Sequence, residues 1–481
     1  MLFNSLTFGL FLPLVFLLHW FVIRQRVRWQ NILIILASYV FYGWWDWRFL
    51  SLIMASSLVD FLLGLQLGKT EQAPQRKRLL WLSLAFNLGI LGFFKYYNFF
   101  VDQFVTAFSS VGLELQPQTL SIILPVGISF YTFQTLSYTI DVYCKKLEPT
   151  SDWTVFFAYV AFFPQLVAGP IERATNLIPQ FSIKRTFDAS QAQDGMRQIL
   201  WGLFKKIVIA DNCAVFVNSI FTGYEELGTL NLILGAVLFA FQIYCDFSGY
   251  SDIAIGTARL FGVRLMQNFA YPYFSRSIGE FWRRWHISLS TWFRDYLYIP
   301  LGGSRVDSKA LLIRNILIIF LVSGFWHGAN WTFIVWGGLH ALFFLPSILR
   351  GTNRKHLGPI AHGRFLPSLS ELMAMLSTFS LVCFSWIFFR SADISSAFAY
   401  ISALFSNLTP DLYYILKAKY LLVGIVLLLL VEWRQRDRQH GLELTPGELN
   451  PFLRATAYLS TAMAILLLAP REESVFIYFQ F

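Results

Sequence analysis

Two histidines stand where a proton could be handled inside a mostly apolar chain. His327 lies in Phe325-Trp326-His327-Gly328-Ala329-Asn330-Trp331, at the seam of two apolar stretches. His286 closes Gly279-Glu280-Phe281-Trp282-Arg283-Arg284-Trp285-His286. An imidazole can take a proton from a hydroxyl near neutral pH, and a nearby amide can orient an acyl carbonyl. A glycine beside it allows close approach. If one helix continues past His327, then Asn330, Trp331 and Ile334 share its face. The competing reading is structural: His327 hydrogen-bonded in a helix seam, and His286 reaching out to the membrane surface. His340 follows His327 by thirteen positions. At about 100° per residue that is roughly 220°, nearly the opposite face of a helix, so His340 is read as packing. His19, His356, His362 and His440 have no polar company in the sequence and are given no role.

The elements that must position these groups are membrane helices. The chain has 481 residues, 56% of them hydrophobic and only 14% charged, against about 25% charged in soluble domains. Apolar stretches recur from end to end with no gap of soluble size. The reading is therefore one all-α, polytopic membrane domain spanning 1–481, with roughly eleven to thirteen membrane segments at about 20 residues per crossing. The first segment, 5–23, is followed by Arg24, Arg26 and Arg28 and lacks a small-residue cleavage site, so it reads as an anchor. Segments 31–46 and 49–67 are joined at Trp44–Arg48, a tryptophan cluster suited to an interface. Loops 24–30 and 68–78 carry the basic residues expected of cytoplasmic loops. The net charge of +10 lies in such short loops, which removes nucleic acid as a partner. Cys144, Cys213, Cys245 and Cys383 are isolated, without metal-binding spacing, and read as reduced thiols. No internal repeat is visible, which weighs against an inverted-repeat transporter.

Between the spans, Ser277–His340 is polar, charged and rich in tryptophan, and such a segment within a membrane protein is a functional candidate by default. Phe281, Trp285, Leu289 and Trp292 recur at helical spacing, which predicts one amphipathic helix over 277–295. Glu280, Arg283, Arg284 and Arg294 lie off that stripe. Residues 309–325 and 331–347 are read as two apolar segments broken at Gly324 and Gly328. Residues 253–263 are too short to span and read as re-entrant or interfacial. Asp246 and Asp252 are either ion ligands of a transport path or structural groups, pairing with Arg264 or Arg276 or capping helices. No Gly-x-Ser-x-Gly elbow, phosphate-binding loop or dinucleotide glycine pattern occurs.

Four ordered stretches carry a family resemblance: Phe163 to Ile171, Gln242 to Asp252, Glu280 to Gly303 and Ser323 to Gly338. Together they resemble the membrane-bound O-acyltransferase family, in its bacterial branch of the alginate O-acetylation type. The terminal Phe476–Phe481 is similar to the end of that type. The resemblance implies a ring of helices around a central funnel, with the family's catalytic histidine at His327 and its second motif position at His286. It implies an acetyl transfer from a cytoplasmic thioester, acetyl-CoA or an acyl-carrier protein, with no tightly bound cofactor and no metal. Trp326, Asn330, Trp331, Arg283, Arg284, Arg294 and Asp295 are the expected substrate contacts, the arginines facing donor phosphates. The acceptor would be an exported, alginate-like polysaccharide. An extracytoplasmic, hydrolase-like partner would complete the reaction, and the setting would be the bacterial inner membrane. Two alternatives stand beside this reading. One is a transporter or flippase for a polysaccharide or lipid-linked precursor, using Asp246, Asp252 and the arginines. The other is a scaffold subunit of a secretion complex.

Overall fold

Backbone N–H and C=O groups inside a bilayer have to be paired within their own segment, which restricts long apolar runs to helices. The computed structural model describes residues 1–24, 26–113, 115, 120–444, 450–470 and 476–477, and among them every regular element is a helix. Seven helical stretches are long and apolar enough to cross a membrane, and shorter apolar helices occupy Leu6–Val22 and Ile394–Ser406. The stretch Val27–Lys69 is 43 residues long, about twice one crossing. It turns at the short segment Trp47–Phe49, where Asp46 accepts from the Arg48 amide at 3.0 Å. This is the Trp44–Arg48 joint expected from the sequence. Two sequence features fall partly outside the described residues: 478–481 of the terminal motif, and 445–449 of the tail beyond Arg434.

Contacts divide the chain into two compact units, Met1–Gln193 with Thr257–Met266, and Asp194–Gly256 with Gln267–Phe481. In the first unit a buried carboxylate ties three helices together. Asp60, on Leu50–Lys69, accepts from Asn87 at 2.7 Å and from Thr139 at 3.0 Å, and also from Ser83. An acid in hydrocarbon persists only when its oxygens are satisfied in this way. The basic segment 68–78 is mostly helical, and Arg76, on the helix Ala73–Leu91, is turned inward. Its guanidinium donates to the carbonyls of Leu67, Thr70, Val142 and Tyr143, and so closes two helix C-termini.

The second unit departs from the sequence reading in five places. The helix Thr229–Leu260 runs unbroken for 32 residues, so 253–260 continue it and form no separate re-entrant segment. Its packing against Ala189–Leu203 is close, because a Cβ at Gly202 would lie 2.5 Å from the Gly249 carbonyl oxygen. That approach selects the partners of the two acids. Asp252 pairs with Lys205 at 2.7 Å, and Asp246 with Lys206 at 2.9 Å, in place of Arg264 or Arg276. Ordinary helix geometry puts consecutive residues about 100° apart, yet both lysines are buried, on a π-helical turn Phe204–Ala210. Gly324 does not break a helix: Lys309–His327 continues through it. A Cβ at Gly324 would strike the Phe333 backbone, so this glycine brings the helix against Trp331–Leu349. His440 does have polar company, its Nε2 lying 3.2 Å from an Asp194 oxygen.

The fifth difference bears on chemistry. The predicted helix over 277–295 is two seven-residue helices, Ile278–Arg284 and Ile287–Phe293. The apolar stripe is nonetheless buried at Phe281, Trp285, Leu289 and Trp292. The break falls at His286, whose φ of 43° and ψ of 55° are left-handed. Periodicity could not reveal it, because the stripe survives the kink.

Candidate active site

The site lies in the second unit, where the break at His286 meets the end of Lys309–His327. Two backbone bonds clamp the break: the Ala270 amide donates to the Arg284 carbonyl at 2.9 Å, and the Ile287 amide to the Asn268 carbonyl at 2.9 Å. They hold a non-glycine residue in a conformation that costs about 1–2 kcal/mol. Such an outlier, when the surroundings enforce it, is a marker of function. The result is an imidazole that is 0% exposed, with Phe247 edge-on at 4.7 Å between ring centroids. The ring's Nδ1 lies 3.2 Å from the side-chain oxygen of Asn268. His286 sits outside the spanning helices, and burial pushes its pKa down to about 3, so the ring is neutral at ordinary pH.

His327 is the last residue of its helix and is 3% exposed. Gly328 follows in extended backbone, and Asn330 caps the next helix by accepting from the Thr332 amide at 3.0 Å. The helix therefore stops at His327, and Asn330, Trp331 and Ile334 do not share a continuing face with it. Asn330 spends its amide nitrogen on the Ala392 carbonyl at 2.8 Å, and Trp331 is 48% exposed. Trp326 is buried, with its ring 5.0 Å from His327 and 6.0 Å from His286. The rings of His286 and His327 are 6.4 Å apart. The structure thus brings the two motif histidines together.

A cavity of about 480 Å³ is lined by neighbours of both histidines, Ile287 and Ser323, though by neither histidine itself. Its walls include Trp282, Ile287, Phe320 and Ser323, and its charged residues are Arg283, Arg294 and Arg354. Ser323 is one helical turn before His327, on the same side of the helix, and Ile287 adjoins His286. The structure sorts the expected arginines. Arg283 lines the cavity while donating to the Asn353 and His356 carbonyls at 3.0 and 2.9 Å. Arg294 lines it too and pairs with Asp295 at 2.7 Å on the exposed side. Arg284 does not line it. Its guanidinium is engaged by Glu280 at 3.1 Å and by the Ala270 carbonyl. Glu280 also holds Arg276 at 3.0 Å. Burial disfavours the Glu280 charge, but the bonds from Arg276 and Arg284 outweigh it and hold the carboxyl below the usual range.

His340 shares the aromatic cluster, its ring 4.9 Å from that of Trp336. Its Nδ1 accepts from the Trp282 indole at 3.3 Å, and its Nε2 meets the Ser385 hydroxyl at 2.9 Å. Both ring nitrogens are spent on neighbours, in keeping with a packing role. Sequence reasoning missed Asn268, Ser323 and Arg354. Asn268 lies eighteen residues before His286 and outside every motif, and no spacing rule joins the two.

Sequence comparison now bears on this geometry. The membrane-bound O-acyltransferase family pattern matches residues 145–384, which include both histidines. The chain is 37% identical to a probable alginate O-acetylase AlgI of Pseudomonas putida over the full length of both chains. It is 41% identical to the corresponding Pseudomonas syringae protein, covering 84% of this chain and 75% of the other. It is 31% identical to a peptidoglycan O-acetyltransferase of Helicobacter pylori over all of this chain and 98% of that one. This chain belongs to the membrane-bound O-acyltransferase family and is a multi-pass membrane acyltransferase.

Proposed function

We propose that the protein moves an acetyl group from a cytoplasmic thioester, across a bacterial inner membrane, toward hydroxyls of an exported, alginate-like polysaccharide. The observation that carries this reading is the buried pair His286 and His327, 6.4 Å apart between ring centroids, whose neighbours Ile287 and Ser323 line the 480 Å³ cavity. A cavity of that size is within the range that holds an extended organic ligand. Its mostly apolar wall suits the thioester arm common to acetyl-CoA and acyl-carrier proteins. Arg283, Arg294 and Arg354 suit the phosphates at that arm's far end. The relatives named as acetylases of alginate and of peptidoglycan support a saccharide hydroxyl as acceptor.

The reaction needs positioning and one proton path. The acceptor oxygen bonds to the acyl carbon, the carbon–sulfur bond breaks, and an ester and a thiol result. In this reading His327 takes the hydroxyl proton and passes it to the departing sulfur, which is general-base chemistry. His286 orients the reacting groups from the facing side. Trp326 walls the site beside both rings. Asn330 and Trp331 shape the approach next to it rather than facing along the His327 helix.

Among the described residues, the polar loop read over 348–368 lies between the helices Trp331–Leu349 and Leu369–Arg390 and is well below the roughly 40 residues needed for an independent fold that could seat a polymer. It is also held down, with Arg276 donating to the Gly358 carbonyl at 2.9 Å and Arg283 to the Asn353 carbonyl. We therefore assign the final step to a separate extracytoplasmic protein that carries the acetyl group to the polymer. The test is reconstitution of purified protein with labelled acetyl donor, polymer and candidate partner. The expected result is label on the partner, and then on the polymer, only when His327 is intact. Efficient polymer acetylation without a second protein overturns the relay, and label movement without ester formation favours a transporter.

A further inference from the structure

We propose that Asn268 is a positioning residue that fixes His286 as the Nδ1–H tautomer and thereby presents its Nε2 lone pair to the acyl-transfer centre. The inference deepens the reading of the His286–His327 pair given above and rests on it. It starts from a group that cannot change its role. The Ser288 backbone amide is an obligate donor, and it points at the Asn268 side chain at 3.3 Å. The atom it meets is therefore the carbonyl oxygen of Asn268, because an amide nitrogen there would set donor against donor. The Ser288 hydroxyl donates to the same oxygen at 2.8 Å. On its other side, the Asn268 nitrogen donates to the Ser251 hydroxyl at 3.1 Å.

With the amide so oriented, the contact between that oxygen and His286 Nδ1 at 3.2 Å has one solution. The oxygen accepts, so Nδ1 carries the hydrogen. A neutral imidazole holds one hydrogen, and Nε2 then carries the lone pair. His327 and Trp326 stand around the same ring at 6.4 and 6.0 Å between centroids. An acceptor hydroxyl or a protonated His327 can therefore donate to His286, and the opposite tautomer could not receive it. The main chain of Asn268 serves the same end, since its carbonyl accepts from Ile287 across the left-handed break. One residue thus sets both where the ring stands and which nitrogen is basic.

Among the described residues, the titratable ring that stands against His286 is His327. Behind Asn268, a small polar recess is lined by Lys205, Tyr244, Asp252, Tyr271 and His440, with Ser251 between it and the amide. Lys205 and Asp252 neutralise one another there at 2.7 Å.

The test uses the full-length protein, with an acetyl thioester donor and a hydroxyl acceptor. The variants are Asn268→Ala, Asn268→Asp, His286→Ala and the double variant His286→Ala/Asn268→Ala. Asn268→Ala is expected to lower kcat at least tenfold with little change in KM for the donor. Asn268→Asp keeps the acceptor oxygen and the tautomer, and is expected to retain activity within a few-fold. Its carboxylate favours imidazolium, so the acid limb of its pH profile moves to higher pH. In the double variant, loss of Asn268 should cost nothing beyond His286→Ala. Three results would overturn the proposal: wild-type turnover in Asn268→Ala, an Asn268→Asp protein as impaired as Asn268→Ala with an unmoved pH profile, or additive losses in the double variant. His327→Ala serves as the control, because full activity there defeats the reading of the site itself and not the role of Asn268.

Discussion

His340 and His286 are both buried and both ringed by aromatic side chains, yet they are wired in opposite ways. Trp282 donates to Nδ1 of His340, which forces the hydrogen onto Nε2, and that hydrogen meets Ser385. The lone pair and the N–H of His340 are therefore both consumed. His286 donates from Nδ1 to Asn268, which leaves the lone pair of the neutral ring on Nε2. Burial and aromatic company are common to both rings, and the direction of the hydrogen bond at Nδ1 is what differs.

A second buried polar region extends the contrast. Lys205 meets Asp252 and Ser248, and Lys206 meets Asp246 at 2.9 Å and Asp211 at 2.7 Å. Asp252 is paired with Lys205, and Asp246 and Asp211 share Lys206. A pairing of this kind contributes little net stability but is costly to break on one side only. The lysines of this layer face acids, whereas the two histidine rings face one another and aromatic side chains.

These differences can be broken by substitution, and the largest effect on stability belongs to the lysine layer. Lys205→Met strands Asp252 and should cost about 3–5 kcal/mol, read as a fall in the thermal midpoint of purified protein. The double change Lys205→Met/Asp252→Leu should recover most of that loss, and no recovery would mean the pair is not the source. Next comes the strained break. His286→Gly should exceed His286→Ala in stability by about 1–2 kcal/mol, because only alanine pays the left-handed cost, while both lose activity. Equal stability would remove the clamp from the account. Of similar size, Ser385→Ala should cost about 1–3 kcal/mol by deleting the bonds to His340 and Val382 and leaving the buried His340 N–H unmatched, and leave turnover per folded molecule unchanged. A large kinetic effect there would make His340 more than packing.

The pH dependence follows from Glu280. Its carboxyl is held below the ordinary value of 4.5 by Arg276 and Arg284 against the pull of burial. A depressed carboxyl contributes stability that is complete above the unfolded value and is lost as pH falls through the folded one. The midpoint temperature should therefore drop as pH is lowered below about 4.5. Glu280→Gln should start lower and flatten that acid limb, and an unchanged limb would assign the effect to another group.

Much of this was legible in the sequence. The spans followed from apolar run length, the Trp44–Arg48 turn from its tryptophans, and the two histidines from their motifs. The break at His286 was not legible, because Phe281, Trp285, Leu289 and Trp292 keep helical spacing across it while the kink is imposed by a strand-like tie to residues 268–270. The role of Asn330 was half legible: an Asn before an apolar run is a helix cap, but reading the helix as continuous put it on the wrong face. The partners of Asp246 and Asp252 depended on a glycine contact between helices, which spacing along one chain does not encode. Asn268 was silent for the same reason.

The central claim is that the acyl group is transferred at His327 and not merely packed around it. The direct measurement is ester formation from an acetyl-labelled thioester by His327→Ala and His340→Gln proteins, each matched to wild type for folded amount in the same vesicles. The account predicts a loss of about 10²- to 10⁴-fold for His327→Ala, and turnover within a few-fold of wild type for folded His340→Gln. Wild-type turnover in His327→Ala would contradict it.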